Sequence, residues 1–361
     1  MRDRGDRATS RDGGGRSRTW IASLSLLLCV WPFATSNGAP TSAAFLKIPT
    51  DARAMGLGNG HLALASGVGA LGHNPAGAAV LNSKEAAFVY APHLGGTALG
   101  AMAYAHPTNI GSFGLNFLTL RSGEMDGRDA SGARTAGFTA EDRAVGISYA
   151  RGFVRNQDRA DETVRLGVSL KHISSRIADY EASSYAVDLG GQLPFRAGRV
   201  PMDFGLALRN LGPGMRYLER QDPLPLSAGV GLSAQLFGTL RLAGGMERYV
   251  HEERTDLSIG MEVAPTSGFM LRGNYGMSRN AEGGGSTPNL AGGFGVRFGS
   301  MQLDYAFMPM GDLGSTQRIS LTLRFGRFEP SGARPSKRRR PMDSYYWQSR
   351  GLGSARRGEH I

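Results

Sequence analysis

The chain has 361 residues, a formal net charge of +11 and a single cysteine. This length allows two soluble domains or one large barrel. The positive charge lies mostly at the ends: residues 1–39 hold six arginines against three aspartates, and residues 327–361 hold nine Lys/Arg against three acidic residues. Because the body between them is nearly neutral, the composition gives little support to nucleic-acid binding, and we expect no nucleic-acid partner.

Residues 1–39 have the order of a secretory signal peptide. A positive stretch at 2–18 precedes an apolar run at 19–34, and small residues follow. We expect cleavage after Ser36. A single membrane anchor is the alternative, but sixteen apolar residues interrupted by Pro32 are short for a helical span.

The only cysteine, Cys29, lies inside this apolar run. It follows Leu28, whereas a lipoprotein signal needs a small residue before its cysteine. Cleavage would leave a mature chain without cysteine. Disulfides, cysteine-based metal sites and thiol catalysis are therefore not expected.

After residue 40 the pattern has a period of two, which is typical of strands with one apolar face. We count about fourteen such segments, mostly nine to eleven residues long, the length that a tilted strand needs to cross a bilayer. Turn-forming residues separate them. The segments centre near Phe88, Ala101, Leu115, Ile147, Val168, Val187, Leu206, Val230, Leu242, Ile259, Leu271, Phe294, Leu303 and Leu321.

An all-β membrane barrel of about fourteen antiparallel strands is the fold that these segments favour, over residues 84–326. A soluble β-sandwich and a propeller are the alternatives, although no repeat of blade length is visible. An even strand number suits closure without an edge. Glycines opposite the apolar face would leave room inside for a plug, as at Gly114, Gly146, Gly167, Gly205 and Gly260.

Residues 40–83 differ from the rest, because they are rich in alanine and glycine and lack the alternation. We expect short helical turns and loops here. A segment of this kind ahead of a barrel can fold inside the lumen as a plug, or hatch.

Several ordered motifs resemble the PorV/PorQ family of outer-membrane proteins. Each motif is weak alone, but they occur in collinear order over roughly residues 43–326. They are Ala44-Phe45-Leu46-Lys47-Ile48-Pro49, Ala52 to Gly58, Asn74-Pro75-Ala76-Gly77, Leu208 to Pro213, Pro223 to Leu226, and Tyr305 to Gly314 with Gly311 and Asp312, followed by Arg318 to Leu321.

That family is similar to FadL-type transporters of hydrophobic compounds, which implies a fourteen-stranded barrel with an N-terminal hatch in the outer membrane. Some of its members are adapters of the type IX secretion system, which carry exported proteins to a surface-attachment machine. The resemblance therefore implies two possible partners, a hydrophobic solute or an exported protein, besides the outer-membrane lipid.

Seven charged residues oppose the apolar face by strand parity, and a lipid-facing Arg or Lys would cost about 2–4 kcal/mol at mid-membrane. We expect these residues to line the lumen and to pair with one another and with the hatch. The alternative is that Arg209 or Arg165 binds a ligand carboxylate. The seven are Arg165, Lys171, Arg209, Glu262, Arg297, Asp304 and Arg324.

Signals for catalysis, cofactors and metals are weak. Gly56, Gly58 and Gly60 do not have the spacing of a dinucleotide loop. His61 and His73 lie twelve residues apart with no third ligand near them in the sequence, so we expect no metal site. We expect no cofactor and no enzymatic activity, since G-x-S-x-G and H-E-x-x-H are absent.

The C-terminal extension, residues 327–361, departs from the usual barrel ending, in which the last strand closes on an aromatic residue such as Phe325. Its composition predicts a basic, disordered tail. The basic tail, with Lys337 to Arg340, could bind nucleic acid, anionic lipid or cell-wall polymer, and Tyr345 to Trp347 could dock at a membrane interface. An even strand number would leave the tail in the periplasm.

Two functions stay open for such a barrel. In transport, an apolar solute enters and a hatch movement releases it, and an apolar pocket near the hatch would favour this function. In the adapter function, extracellular loops hold an exported protein, and ordered loops with an apolar patch would favour it. The segments Ser122 to Asp142 and Leu211 to Asp222 are the places to look. A secreted soluble β-protein with a binding or structural role is the outside alternative.

Overall fold

The computed structural model describes residues 40–154, 163–280 and 287–328. The predicted signal peptide and all but the first two residues of the predicted tail lie outside these ranges. Within them, no helix has both the length and the apolar character that a membrane span requires.

Within the described residues, fourteen antiparallel strands close into a barrel, and β8 and β9 form a small separate hairpin between β7 and β10. Strand β1 pairs with β16 to close the circle. The strands are β1 Ser83–Pro92, β2 Ala98–Thr108, β3 Gly111–Arg121, β4 Ala140–Val154, β5 Thr163–Ile177, β6 Tyr180–Ala197, β7 Val200–Leu211, β8 Met215–Tyr217, β9 Arg220–Asp222, β10 Ser227–Leu236, β11 Leu240–Tyr249, β12 Arg254–Thr266, β13 Phe269–Asn280, β14 Thr287–Phe298, β15 Met301–Pro309 and β16 Ser315–Arg327.

The predicted fold class is confirmed. Each of the fourteen segment centres predicted from the sequence falls inside one of the fourteen barrel strands. Alternation was a sufficient signal because every strand has one face toward the lumen and one toward the outside.

The outward face of the barrel is apolar. Large hydrophobic side chains are exposed along every barrel strand, at a density that a soluble monomer does not carry. Such a band suits lipid rather than water. Examples are Phe88, Leu115, Ile147, Leu170, Leu206, Leu232, Leu242, Ile259, Leu271, Leu290, Leu303 and Ile319.

The two open ends of the barrel differ. We call the end where β1 begins and β16 ends the terminal rim, and the opposite end the loop rim. At the terminal rim most connections are tight, such as the one between β6 and β7. At the loop rim β3 and β4 are joined by residues 122–139, and β7 and β10 by residues 212–226, which contain the β8–β9 hairpin.

Residues 40–82, the plug, fill the barrel from within. They form short helical turns, as the sequence predicted, because alanine and glycine allow close packing but no long amphipathic face. The Asp51 carboxylate caps α1 by accepting a 2.7 Å hydrogen bond from the Ala54 amide. The elements are α1 Ala52–Leu57, α2 His61–Leu64 and 3-10 turns at Ala44–Lys47, Gly58–Gly60, Gly67–Gly72 and Pro75–Val80.

The closed, hydrogen-bonded barrel gives a first testable expectation. A barrel without free edges resists detergent at room temperature, so we expect the membrane fraction to run faster on a gel when it is not boiled. Boiling should move the band to the position of the 38.4 kDa chain, or to a smaller apparent mass if a signal is removed. A protein found in the soluble fraction, with the same mobility before and after boiling, would contradict a membrane barrel.

Candidate functional site in the barrel lumen

The plug fits inside the barrel because the wall has glycine at several positions where the two are in contact. A Cβ atom at Gly114, Gly167, Gly205 or Gly260 would lie within 2.6 Å of a plug atom. Gly146 differs, since its nearest neighbour is Asn116 on the adjacent strand. Four of the five glycine positions that the sequence placed on the inner face therefore make room for the plug.

Asn74 fastens the plug at its centre. Its side chain is fully buried and donates to the carbonyls of Leu62, at 2.9 Å, and Gly191, at 3.2 Å. Its Oδ1 accepts from the Ala76 amide at 3.3 Å, which starts the turn at Pro75–Val80. The Asn74-Pro75-Ala76-Gly77 motif thus joins the plug to itself and to the wall, and a Cβ at Gly77 would collide with the Ala65 carbonyl.

A charged network crosses from the plug to the wall on the side of β12 to β15. Glu262 accepts from Arg53 of α1 at 3.1 and 3.2 Å, and from Arg272 at 2.7 Å. Arg272 also donates to Asp304 at 2.6 Å. Each buried charge is thereby paired, as a low-dielectric lumen requires.

The network continues toward β1. Arg324 donates to Glu85 at 3.1 Å and to Gln302 at 3.2 Å, and Arg297 also donates to Gln302. Glu85 in turn accepts the Val68 amide of the plug at 2.9 Å. The predicted lumen residues Glu262, Arg297, Asp304 and Arg324 are therefore brought together by the fold.

The other three predicted lumen residues lie on the opposite wall. Lys171 contacts Asp188 at 2.8 Å and donates to Asn210. Arg209 donates to Glu247, and Arg165 donates to Gln192 at 3.4 Å. All three side chains are buried inside the barrel. A ligand role for Arg165 or Arg209 stays a prediction.

The part of the lumen near the loop rim that lies along β1 to β6 is apolar. Phe45, from the first turn of the plug, is buried there among strand residues and two residues of the segment 212–226. We call this group the apolar chamber. It consists of Phe45, Leu99, Leu118, Ile173, Met215 and Leu224, with small alanines from β1, β4 and β6 around them.

The start of the plug is held at the loop rim. Glu252, between β11 and β12, accepts from Thr41 at 2.5 Å and from Lys47 at 2.6 Å. The Ser42 amide donates to the Pro223 carbonyl at 2.9 Å. These contacts place Phe45 inside the apolar chamber, with Met215 and Leu224 covering it.

Two small cavities lie between the plug and the wall. A cavity of about 60 Å³ lies beside the apolar chamber, lined by Leu46, Leu71, Leu118 and the Lys171–Asp188 pair among others. A second cavity of about 70 Å³ lies over the charged network. Each volume holds a few water molecules. A larger solute therefore needs the plug or the chamber residues to move.

Three side chains of the plug converge beside the second cavity. The Nε2 atom of His73 lies 3.1 Å from Oδ2 of Asp51, and the ring of His61 lies edge-on to that of His73 with 5.2 Å between centroids. Potential ligand atoms of Asp51, His61 and His73 all lie within 4.8 Å of one another. The expectation that no third ligand lies near the two histidines was wrong, because the fold brings Asp51 to them.

Burial sets the protonation of this group. Desolvation lowers the pKa of His61 to about 3, so its ring is neutral at neutral pH. Burial alone would raise the pKa of Asp51, but the neighbouring His73 lowers it below its ordinary value. The group therefore offers a carboxylate and a neutral imidazole.

Gly311 and Asp312, from the ending motif, lie apart from the lumen residues. They form an exposed turn between β15 and β16 at the loop rim. The Gly314 amide closes this turn by donating to the Gly311 carbonyl at 3.0 Å.

The protein belongs to the class of closed β-barrels whose lumen is filled by an N-terminal plug. No protein family and no curated protein matches the chain. Among solved structures, the "TodX deltaS2S3 mutant monoaromatic hydrocarbon channel" matches with a TM-score of 0.51 and 12% identity, over 77% of this chain and 98% of that one. The Ralstonia pickettii toluene transporter TbuX matches with a TM-score of 0.50 and 12% identity, over 75% and 99%.

A Pseudomonas aeruginosa FadL homologue also aligns, with a TM-score of 0.49 and 11% identity, over 76% of this chain and 98% of that one. Identities this low show a common fold and nothing further. The fourteen-stranded barrel with an N-terminal plug that the sequence motifs implied is observed, whereas membership of the PorV/PorQ family stays a prediction.

Proposed function

We propose that the protein is an outer-membrane passage for hydrophobic small molecules, opened by movement of the plug. The apolar chamber carries this proposal. It is a buried cluster near the loop rim in which an apolar solute could take the place of side chains such as Phe45, Ile173 and Met215. The two solved structures of the same fold are named as a monoaromatic hydrocarbon channel and a toluene transporter, which supports this class of solute.

The small free volume makes plug movement part of the proposal. A monoaromatic ring is larger than the cavity of about 60 Å³ beside the chamber. Displacement of Phe45 would open the chamber, and rearrangement of α1 or α2 would connect it to the terminal rim. With the predicted signal peptide and an even strand number, the terminal rim faces the periplasm, and transport runs from the loop rim inward.

A disulfide between plug and wall tests this movement. A Cβ at Gly231 of β10 would lie 3.3 Å from the Cβ of Leu62 in α2, close to the roughly 3.5–4.5 Å found in disulfides. In the double variant Leu62→Cys/Gly231→Cys, oxidation should abolish uptake of labelled toluene by cells that carry a lipopolysaccharide outer membrane, and reduction should restore it. Each single variant is the matched control.

Two results would count against the proposal at different levels. Full uptake by the oxidised, cross-linked protein would reject movement of α2. Uptake by cells with the wild-type protein that equals uptake by cells without it would reject hydrophobic passage itself.

The adapter function rests on the sequence resemblance. The segment 122–139 is largely exposed and carries mainly small and polar residues, with Met125 as its exposed large hydrophobic residue among those described. A docking patch for an exported protein would need more apolar area than this. The second segment, 211–222, does expose Leu211 and Leu218, so this observation counts against the adapter function for the segment 122–139 alone.

A further inference from the structure

We propose that Asp51, His61 and His73 bind a divalent transition-metal ion, with Zn²⁺ as the expected occupant, which ties three parts of the plug together. Their potential ligand atoms lie within 4.8 Å of one another, and one pair, Asp51 Oδ2 and His73 Nε2, is 3.1 Å apart. Ligand atoms around a tetrahedral Zn²⁺ are roughly 3.3 Å apart, given its Zn–N and Zn–O bonds of about 2.0–2.2 Å. Small side-chain movements would therefore complete the site.

The state of His61 points independently to a ligand. The residue is 4% exposed, yet within the described part of the chain neither of its ring nitrogens has a hydrogen-bond partner. A buried polar group without a partner is costly and calls for an explanation, such as a bound ion. Oδ2 of Asp51 is buried without a hydrogen bond of acceptable geometry as well. A metal ion between them would satisfy both.

The ligand types select the class of ion. Two imidazoles and one carboxylate suit Zn²⁺ and its neighbours in the first transition row, whereas Mg²⁺ and Ca²⁺ prefer an all-oxygen set. Three protein ligands leave a fourth position open. Asp51 and His61 line the cavity of about 70 Å³, which has room for a water ligand there.

The surrounding charge does not supply the attraction. The same cavity is lined by four carboxylates and four guanidinium groups, so a cation is held by direct coordination rather than by a negative field. They are Asp51, Glu85, Glu262 and Asp304, and Arg53, Arg272, Arg297 and Arg324. We therefore expect Zn²⁺ or Co²⁺ to bind and Mg²⁺ to be excluded.

The three ligands come from separate elements of the plug. Asp51 precedes α1, His61 begins α2, and His73 follows the turn at Gly67–Gly72. A shared ion would cross-link these elements and favour the seated plug, because an ion that binds only one state stabilises that state. The inference is independent of solute passage, since a metal-binding plug could close a barrel of any function.

The test uses the folded full-length protein in detergent, without a polyhistidine tag. After chelation and desalting, Zn²⁺ or Co²⁺ is added and the bound metal is measured by mass spectrometry. We expect one equivalent per chain. Asp51→Asn and His61→Gln should each weaken metal binding by more than about 100-fold. Loss of a residue that only hydrogen-bonds to a metal ligand weakens binding by up to about 100-fold. Asparagine at 51 keeps the cap on α1.

His172→Gln is the matched control, because His172 lies on the outer face of β5 beside Tyr185 and should leave binding unchanged. The unboiled gel shows which variants remain folded. If His61→Gln does not fold, Asp51→Asn alone tests the site. Folded wild-type protein that binds no Zn²⁺ or Co²⁺, or binding that persists in the folded variants, would overturn the site. If the folded protein takes up toluene but binds no metal, the metal site is overturned and the proposed passage function is not.

Discussion

Replacement of Glu262 by alanine is expected to destabilise the folded protein by about 3–5 kcal/mol, the cost of removing one partner from a buried ion pair. Glu262 is 2% exposed and accepts hydrogen bonds from both Arg53 and Arg272. Its loss would leave two guanidinium groups short of a partner inside the barrel. Because Arg53 belongs to the plug and Arg272 to the wall, the plug should also lose its main ionic attachment on this side.

Urea unfolding in lipid vesicles measures the first effect, as a lower midpoint at an unchanged slope. Arg121→Ala is the control. Arg121 and Glu141 form a 2.6 Å ion pair in which the arginine side chain is 61% exposed, and such pairs contribute about 0–1 kcal/mol. If Glu262→Ala costs no more than Arg121→Ala, the network does not hold the plug, and its ordering in the lumen has another cause.

The wall side of this network could be predicted from strand parity. Glu262, Asp304 and Arg324 oppose apolar residues on their strands, so a period of two is enough to place them in the lumen. Arg272 was missed, although the same parity applies to it, since Leu271 beside it is exposed to the outside. Parity gives the face of a residue because successive side chains of a strand point in opposite directions.

The partners across the lumen could not be predicted. Arg53 and Glu262 are 209 residues apart in the chain, and the plug has no period that would orient Arg53. The same holds for Arg209, whose partner Glu247 lies two barrel strands away on β11. A single sequence carries no signal for such pairs, because the Arg53 pair depends on how far the plug descends and how it turns, and the Arg209 pair on how β7 and β11 are placed in the barrel.

The cluster of Asp51, His61 and His73 shows the same limit more sharply. Spacings of ten and twelve residues are too long for one short helix or turn to bring the three side chains together, so the sequence argued against a metal site. The three residues meet because glycine-rich turns fold the plug back on itself, as at Gly67, which has a φ of 66°. Backbone geometry of this kind is decided by packing against the wall rather than by local preference.

Replacement of Gly245 by valine should unseat the plug and open the barrel. A Cβ there would lie 2.5 Å from the backbone of Asn59 and 2.7 Å from the amide nitrogen of Gly60. Backbone atoms cannot move aside as a flexible side chain can, so the seated state should lose about 1–3 kcal/mol. That change corresponds to a roughly 5- to 150-fold larger unseated fraction.

Gly244→Val is a closely matched control, because Gly244 precedes Gly245 on β11 and points to the opposite face. The nearest atom to a Cβ at Gly244 is the Ser258 carbonyl oxygen, at an ordinary 3.8 Å. Planar-bilayer conductance is the measurement: Gly245→Val should conduct far more than the wild type, and Gly244→Val should match it. Equal conductance of all three folded proteins would mean that the plug tolerates an added side chain at its seat. The inward glycines would then reflect the curvature of the barrel rather than the room that the plug requires.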